Sequence, residues 1–96
     1  MKRRRYLVTY DVSDDKRRTR IFKFLRNWGD HLQYSVFLCE LDARERVIVE
    51  RRLDEFVHHD EDQVLVVDLG PAEIDSGRIV AAVGKPYRPP AVVYVV

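Results

Sequence analysis

The sequence is poor in cysteine, glycine and proline, and it has no long apolar run. Its one cysteine, Cys39, excludes a disulfide within the chain and any metal cage built from several cysteines. The apolar runs at 63–69 and 91–96 are far shorter than a membrane span, and the basic residues 2–5 lead into a strand pattern rather than a signal-peptide core. We therefore expect a soluble, cytoplasmic protein without a membrane partner.

Several recognisable catalytic patterns are absent as well. The sequence contains no glycine-rich phosphate loop, no zinc-type spacing of Cys and His, and no Ser-His-Asp order. Its 96 residues make one domain, and a chain of this size buries only roughly two thirds of the surface that its unfolded form exposes. Because association with a second chain would bury more, we expect a partner surface.

Net charge is also small, but the charges are unevenly distributed. The chain carries 17 Lys and Arg against 16 Asp and Glu. Residues 1–26 hold ten of the cations and three acids, whereas residues 40–62 hold nine acids and four arginines. This asymmetry indicates either a basic surface that meets phosphate or two ordinary solvated helix faces.

Strand and helix patterns alternate along the first half of the chain. Residues 5–11 predict a central strand covered on both sides. A helix follows from the capping candidates at 13–15 to about Trp28, and Gly29 is expected to end it in the left-handed conformation. Residues 31–41 predict either one long bent strand or two strands that turn near Tyr34 and Ser35.

The second half predicts a helix, a strand and a β-prone tail. Asp42 and Glu45 have capping-box spacing and open a helix that ends near residues 58–59. A strand is predicted at 63–69, where Gly70 and Pro71 stop the pattern, and residues 78–83 are a further strand candidate. Residues 85–96 form a proline-rich linker and a strand that we expect to pair with a sheet edge of the partner subunit.

This order of elements favours one fold class. It is an α+β fold of ferredoxin-like βαββαβ type, with a helix-covered antiparallel sheet and an additional C-terminal strand. The ferredoxin-like domain is expected to span residues 1–84.

Asp11 is the candidate metal ligand and catalytic residue. It ends an apolar strand and is followed by Ser13, Asp14 and Asp15, so oxygen donors suited to Mg²⁺ or Mn²⁺ collect there. Asp11 fits equally well as a cap of the helix or its preceding turn. One carboxylate per chain is too few, and we therefore hypothesise that two copies of Asp11 share one ion across the two-fold axis of a homodimer.

The first helix supplies candidate phosphate contacts, because guanidinium groups bind phosphate bidentately and lysines add point charge. They are Arg17, Arg18, Arg20, Lys16 and Lys23. A solvated helix face is the alternative. The run of two histidines and three acids at 58–62 resembles a metal cluster, but a structural or solvated role is favoured because adjacent helix side chains diverge and helices end at such runs.

Residues 10–18 (YDVSDDKRR), Gly29 and residues 33–37 (QYSVF) resemble the CRISPR-associated Cas2 family. The combination is specific, and the resemblance covers about the first 57 residues. It implies a ferredoxin-like homodimer in spacer acquisition that acts beside the Cas1 integrase. It also implies a metal-dependent nuclease acting on RNA or double-stranded DNA, or a structural adaptor that holds DNA.

The resemblance further implies roles for individual residues. The aspartate matching Asp11 binds metal and is catalytic, one from each subunit. Residues in motifs linked to activity or to the dimer cleft match Tyr10, Arg17, Arg18, Ser35 and Phe37 here, and Asp14 belongs to the same supporting cleft. Members often carry Arg or Lys where His31 stands, so the phosphate contact at this position is expected to be weaker or pH-dependent.

Three functions remain open from the sequence. The first is a Mg²⁺-dependent endonuclease that needs Asp11. The second is a non-catalytic DNA-binding adaptor that bridges Cas1 dimers and needs the arginines and the tail but no metal. The third and weaker one is a ferredoxin-like regulatory module that binds a small ligand, since this fold hosts many functions.

Overall fold

The computed structural model describes residues 2–88, and they form a four-stranded sheet with two long helices and one short one. In chain order the elements are β1 (Arg4–Asp11), α1 (Asp15–Leu25), β2 (Gly29–Gln33), β3 (Val36–Leu41), α2 (Ala43–Phe56), β4 (Gln63–Pro71) and α3 (Ser76–Ile79). The strands lie in the order β2-β3-β1-β4, and all three pairings are antiparallel. The predicted ferredoxin-like α+β fold is confirmed.

One face of the sheet carries the core. Side chains alternate between faces along a strand, so Tyr6, Val8 and Tyr10 of β1 point the same way as Phe37 and Cys39 of β3. These side chains are buried, and Ile21, Leu25, Val49 and Leu53 of the two helices pack against them. We call this side of the sheet the helix-covered face.

The opposite side, which we call the open face, is apolar at its centre and lacks both long helices, while the segment that leads into α3 lies against its Arg5 and Leu38. It is made by Leu7 and Thr9 of β1, Val36 of β3, and Leu65 and Val67 of β4. The three central residues are half-buried, whereas Leu65 and Val67 are exposed. Within one chain the two long helices cover β1 on one face only, so the cover predicted for its other face does not come from them.

The first helix begins as predicted and ends earlier. The Asp14 side chain accepts a hydrogen bond from the backbone N–H of Arg17 at 2.9 Å, which caps the first turn. The helix ends at Leu25 and residues 26–28 form turns, so the predicted end near Trp28 was three residues late.

Gly29 does not adopt the left-handed conformation that we predicted. Gly29 starts β2, and a Cβ on it would lie 2.5 Å from the carbonyl oxygen of Leu38 and 2.6 Å from Cys39 Sγ. Glycine is required there because two strands approach closely, not because a helix ends.

The ambiguous segment at 31–41 is a hairpin. β2 and β3 turn at Tyr34 and Ser35, and Ser35 has a φ of 60°. The predicted capping box is present at the start of α2, where Asp42 and Glu45 bond each other's backbone N–H at 2.8 and 3.0 Å.

The structure of the C-terminal part differs from the prediction. β4 continues through Gly70, which has a φ of 100°, and ends at Pro71, two residues beyond the predicted end at Leu69. Ser76–Ile79 is one helical turn capped by Asp75, and residues 80–88 are irregular, so the possible strand at 78–83 was wrong. The predicted strand at 91–96 lies outside the described residues. Between residues 2 and 88, each helix is too short or too polar to cross a bilayer.

Candidate nucleic-acid and metal site

Three loops converge at the end of the domain where β1 stops. Asp11 is the last residue of β1 and lies opposite Gln63, the first residue of β4. The backbone N–H of Tyr10 donates to the carbonyl of Ser35 at 3.1 Å, which ties the β2–β3 turn to the same strand end. This end therefore brings together Asp11, the start of α1, the hairpin turn and the loop between α2 and β4.

Asp11 points away from the helices. It follows Leu7 and Thr9 at alternate positions of β1, so its carboxylate lies at the margin of the open face, and the residue is exposed. Asp14, not Asp11, caps α1. The backbone N–H of Arg17 lowers the pKa of the Asp14 carboxyl. Helix capping therefore leaves the Asp11 carboxylate available for another role.

A single chain offers an incomplete metal site. Within residues 2–88, no three His, Cys, Asp or Glu side chains are grouped closely enough to hold an ion. The Asp11 carboxylate has the hard oxygen donors that Mg²⁺ and Mn²⁺ prefer, and it is exposed at an apolar surface that a second copy could cover. The donor chemistry fits such an ion only if a second chain contributes ligands.

Arg17 is engaged by acidic side chains from a distant loop. Its Nε donates to Asp62 Oδ2 at 2.7 Å, and its Nη2 donates to Asp62 Oδ1 and Glu61 Oε2, both at 3.1 Å. Asp62 has no exposed side-chain surface and also accepts from the backbone N–H of His58 at 2.8 Å. The hydrogen bond from Arg17 lowers the pKa of Asp62 to about 2.

This ion pair fastens the start of α1 to the loop before β4, next to Asp11. Sequence reasoning missed Asp62 as an individual residue, although it closes the acidic run at 60–62 just before a strand. Phosphate contact by Arg17 stays a prediction, and it would require the guanidinium to exchange a buried carboxylate for phosphate.

Arg18 is partly engaged as well. Its Nη1 donates to the carbonyl of Val12 at 2.9 Å, and its Nη2 pairs with Asp15. The side chain is only partly exposed. It therefore holds the turn between Asp11 and α1 while part of the guanidinium still faces outward.

The remaining predicted cations form one exposed stripe. Lys16, Arg20 and Lys23 are spaced by four and three residues on α1, which places them on one side of the helix. All three are exposed, and none has an acidic partner within 4 Å among the described residues. We call these three residues the cationic stripe, and phosphate contact remains the prediction for it.

The N-terminal arginines are paired across the fold. Arg3 pairs with Glu45 at 2.6 Å and Arg4 with Asp68 at 2.9 Å, while the buried Arg5 donates to the carbonyl of Ala72 at 3.1 Å. Much of the charge asymmetry seen in the sequence is thus cancelled by contacts between distant segments. On α1, the cationic stripe is the part of the predicted basic surface that keeps its charge unpaired within the described residues.

The aromatic residues of the predicted cleft lie on the helix-covered face. Phe37 is fully buried, and the Tyr10 ring stacks on it at 6.4 Å between centroids. Burial raises the pKa of the Tyr10 hydroxyl despite its hydrogen bond with Ser35. His31 is exposed but lies 5.0 Å from both the Phe37 and Phe22 ring centroids. Phe37 therefore supports the neighbouring rings from within the core.

The two histidines after α2 diverge. His59 Nε2 lies 2.9 Å from Asp54 Oδ1, whereas His58 Nδ1 lies 3.9 Å from Glu61 Oε2. They contact different acids, as expected of neighbouring residues just after a helix end.

The chain matches a known family over most of its length. The family model described as CRISPR associated protein Cas2 matches residues 4–76. Proteins named CRISPR-associated endoribonuclease Cas2 from Geobacter sulfurreducens and Rhodospirillum rubrum are 42% and 39% identical over 84 and 83 residues. These alignments cover 88% and 86% of this chain, and 87% and 80% of the relatives. The crystal structure of Streptococcus pyogenes Cas2 at pH 6.5 is similar, with a TM-score of 0.68, 26% identity, and coverage of 83% of this chain and 99% of that one.

Proposed function

The chain belongs to the CRISPR-associated Cas2 family, and from that premise we propose that it is a metal-dependent endonuclease of spacer acquisition that acts as a homodimer. The observation that carries this proposal is the position of Asp11, an exposed carboxylate at the margin of an uncovered apolar sheet face.

The open face supports the homodimer. Leu65 and Val67 leave about half of their surfaces exposed, at 49% and 42%, beside the half-buried Leu7 and Thr9. Covering an apolar sheet face with a second copy removes this surface from water, which is the main favourable term in association. A two-fold axis through the open face would make the interface self-complementary.

The same symmetry would complete the metal site. Asp11 shares its face with the apolar residues, so copies that pack by this face at the appropriate angle would bring their two Asp11 carboxylates together. The pair would hold Mg²⁺ or Mn²⁺, which when bound polarises a phosphoryl oxygen and lowers the pKa of a water molecule. The role of Asp11 is to hold and orient the ion. The bonds from Arg17 to the Asp62 carboxylate and from Arg18 to the Val12 carbonyl keep the end of its strand in place.

We propose RNA as the preferred substrate of the endonuclease. The two relatives described above are named endoribonucleases. The cationic stripe suits the phosphate backbone of either RNA or duplex DNA, because charge neutralisation carries no sequence or sugar information.

A non-catalytic adaptor that bridges Cas1 dimers is the second candidate. It is favoured by one observation, namely that the cationic stripe lies on α1 and is chemically independent of Asp11. An adaptor would use the stripe to hold duplex DNA and would require no ion.

Replacing Asp11 tests the proposal. We expect Asp11→Asn to abolish Mg²⁺- or Mn²⁺-dependent cleavage of single-stranded RNA while the dimer and the affinity for RNA persist. Asp30→Asn is the matched control, because it also removes one exposed carboxylate but lies on β2, among none of the proposed site residues. Cleavage that survives Asp11→Asn in full would refute the catalytic role and leave the adaptor function.

A further inference from the structure

A small cavity lies beside the candidate site, on the helix-covered side of the sheet. Its volume is about 190 Å³, and it is lined mainly by Tyr10, Arg18, Phe22, His31, Tyr34 and Ser35. Cavities for drug-sized ligands are larger, about 300–1,000 Å³. This one therefore suits a single planar group that is part of a larger ligand.

The walls of the cavity are aromatic and held in place. Phe22 meets His31 edge to face, with centroids 5.0 Å apart and an interplanar angle of 90°. Both rings contact the buried Phe37, at 5.6 Å from Phe22 and 5.0 Å from His31. Because Phe37 fixes these rings from below, the cavity needs little rearrangement to receive a flat ligand.

Tyr34 forms the rim of the cavity. It exposes 76% of its surface, more than any other described tyrosine. The next residue, Ser35, has a φ of 60°, and its carbonyl accepts from the Tyr10 N–H at 3.1 Å. A serine in this conformation is uncommon, and the bond to β1 holds the turn in it. The turn thus presents an aromatic ring to solvent, and its backbone is bonded to the residue that precedes Asp11.

Arg18 supplies the polar wall of the cavity. Two of its nitrogens are used by Val12 and Asp15, but a guanidinium has five N–H donors, and those that remain can meet a carbonyl oxygen or a phosphate. Aromatic walls, an exposed tyrosine and an arginine are the combination with which proteins bind the bases of single-stranded nucleic acids.

We propose that this cavity binds one unstacked nucleobase of a single-stranded substrate whose backbone passes around the end of β1 to a phosphate at Asp11, which points to the other side of the sheet. This inference rests on the proposed function, which places the phosphate there. The base would stack on Tyr34 and lie against His31 and Phe22. A paired base cannot enter, since its faces are occupied by its neighbours, so the cavity would favour single-stranded RNA over duplex.

Fluorescence of a base analogue tests the proposal. A single-stranded RNA with one 2-aminopurine is titrated with the wild-type protein and with Tyr34→Ala, Tyr34→Phe and Tyr87→Ala. Stacking on a ring quenches the analogue. We expect Tyr34→Ala to lose the quenching and weaken binding about tenfold, in line with the loss of one stacked base. Tyr34→Phe should keep the quenching and the affinity, and so should Tyr87→Ala, because Tyr87 lies outside the cavity.

The outcome of this binding test can be separated from the outcome of the Asp11→Asn cleavage test. Asp11→Asn should quench the analogue as the wild type does, because Asp11 does not line the cavity. If quenching depends on Tyr34 while Asp11→Asn still cleaves RNA, the base site stands and the catalytic assignment falls. If Tyr34→Ala quenches and binds like the wild type, or if duplex RNA is quenched equally in a Tyr34-dependent way, the base site is refuted.

Discussion

A lysine on the open face should dissociate the dimer, whereas the same change on α2 should not. Val67 lies on β4 within the open face and exposes 42% of its surface. Val47 lies on α2 and exposes 48%, so Val47→Lys is a matched control for Val67→Lys. Neither substitution touches the core of the single chain, and both variants should fold.

The size of the effect follows from the exposed surface. Full transfer of a valine side chain out of water contributes about 1.5 kcal/mol, so covering 42% of it adds about 0.6 kcal/mol per copy. Two copies lose about 1.2 kcal/mol, which is close to a tenfold change in the dissociation constant. Desolvation of two ammonium groups adds to this loss, so tenfold is the minimum.

Sedimentation velocity over a concentration series measures this difference. We expect Val67→Lys to shift the monomer–dimer midpoint at least tenfold towards higher concentration and to weaken metal-dependent cleavage at concentrations where it is monomeric. Val47→Lys should sediment and cleave like the wild type. A Val67→Lys protein that dimerises with unchanged affinity would refute the assignment of the open face as the interface.

Three further predictions concern charge and packing. Replacing Lys16, Arg20 and Lys23 with Gln should lower the slope of log affinity against log salt by about 2 for single-stranded RNA, measured by fluorescence anisotropy; an unchanged slope would contradict the cationic stripe. Asp62, whose pKa is lowered to about 2, stabilises the fold above about pH 4 and loses this contribution as the pH falls through 2. The difference in urea midpoint between the wild type and Asp62→Asn should therefore stay open at pH 6 and close by pH 2. Gly29→Ala should cost about 1–3 kcal/mol and lower the melting temperature by more than about 4 °C, because its Cβ meets a backbone carbonyl; an unchanged melting curve would contradict the close strand approach.

Local signals in the sequence account for most of the elements. The capping residues Asp14 and Asp42 lie at the starts of α1 and α2, where propensity and spacing predicted them. These signals act within a few residues, so they can be interpreted without knowing the fold.

Long-range contacts account for what was missed. Gly29 is needed because of Leu38 and Cys39, which lie nine and ten residues later on a different strand, so from the local sequence it resembled a helix end. Arg17 and Asp62 are 45 positions apart, so nothing in the composition of α1 indicated that one of its arginines is engaged by a buried carboxylate.

The position of Asp11 was predictable, but its surroundings were not. Its place at the end of β1 follows from the strand pattern, yet the open face next to it appears only when both helices are seen to lie on the other side. The exposed Tyr34 was likewise visible in the sequence only as part of a turn. Its relation to Arg18 and His31 depends on how α1 crosses the sheet.

Counting bound Mn²⁺ per chain tests the shared site most directly. Isothermal titration of the wild-type protein with Mn²⁺ should give one ion for every two chains, and Asp11→Asn should lose this binding while Asp30→Asn keeps it. One ion per chain, or a stoichiometry that does not change in Asp11→Asn, would contradict a metal held between two copies of Asp11.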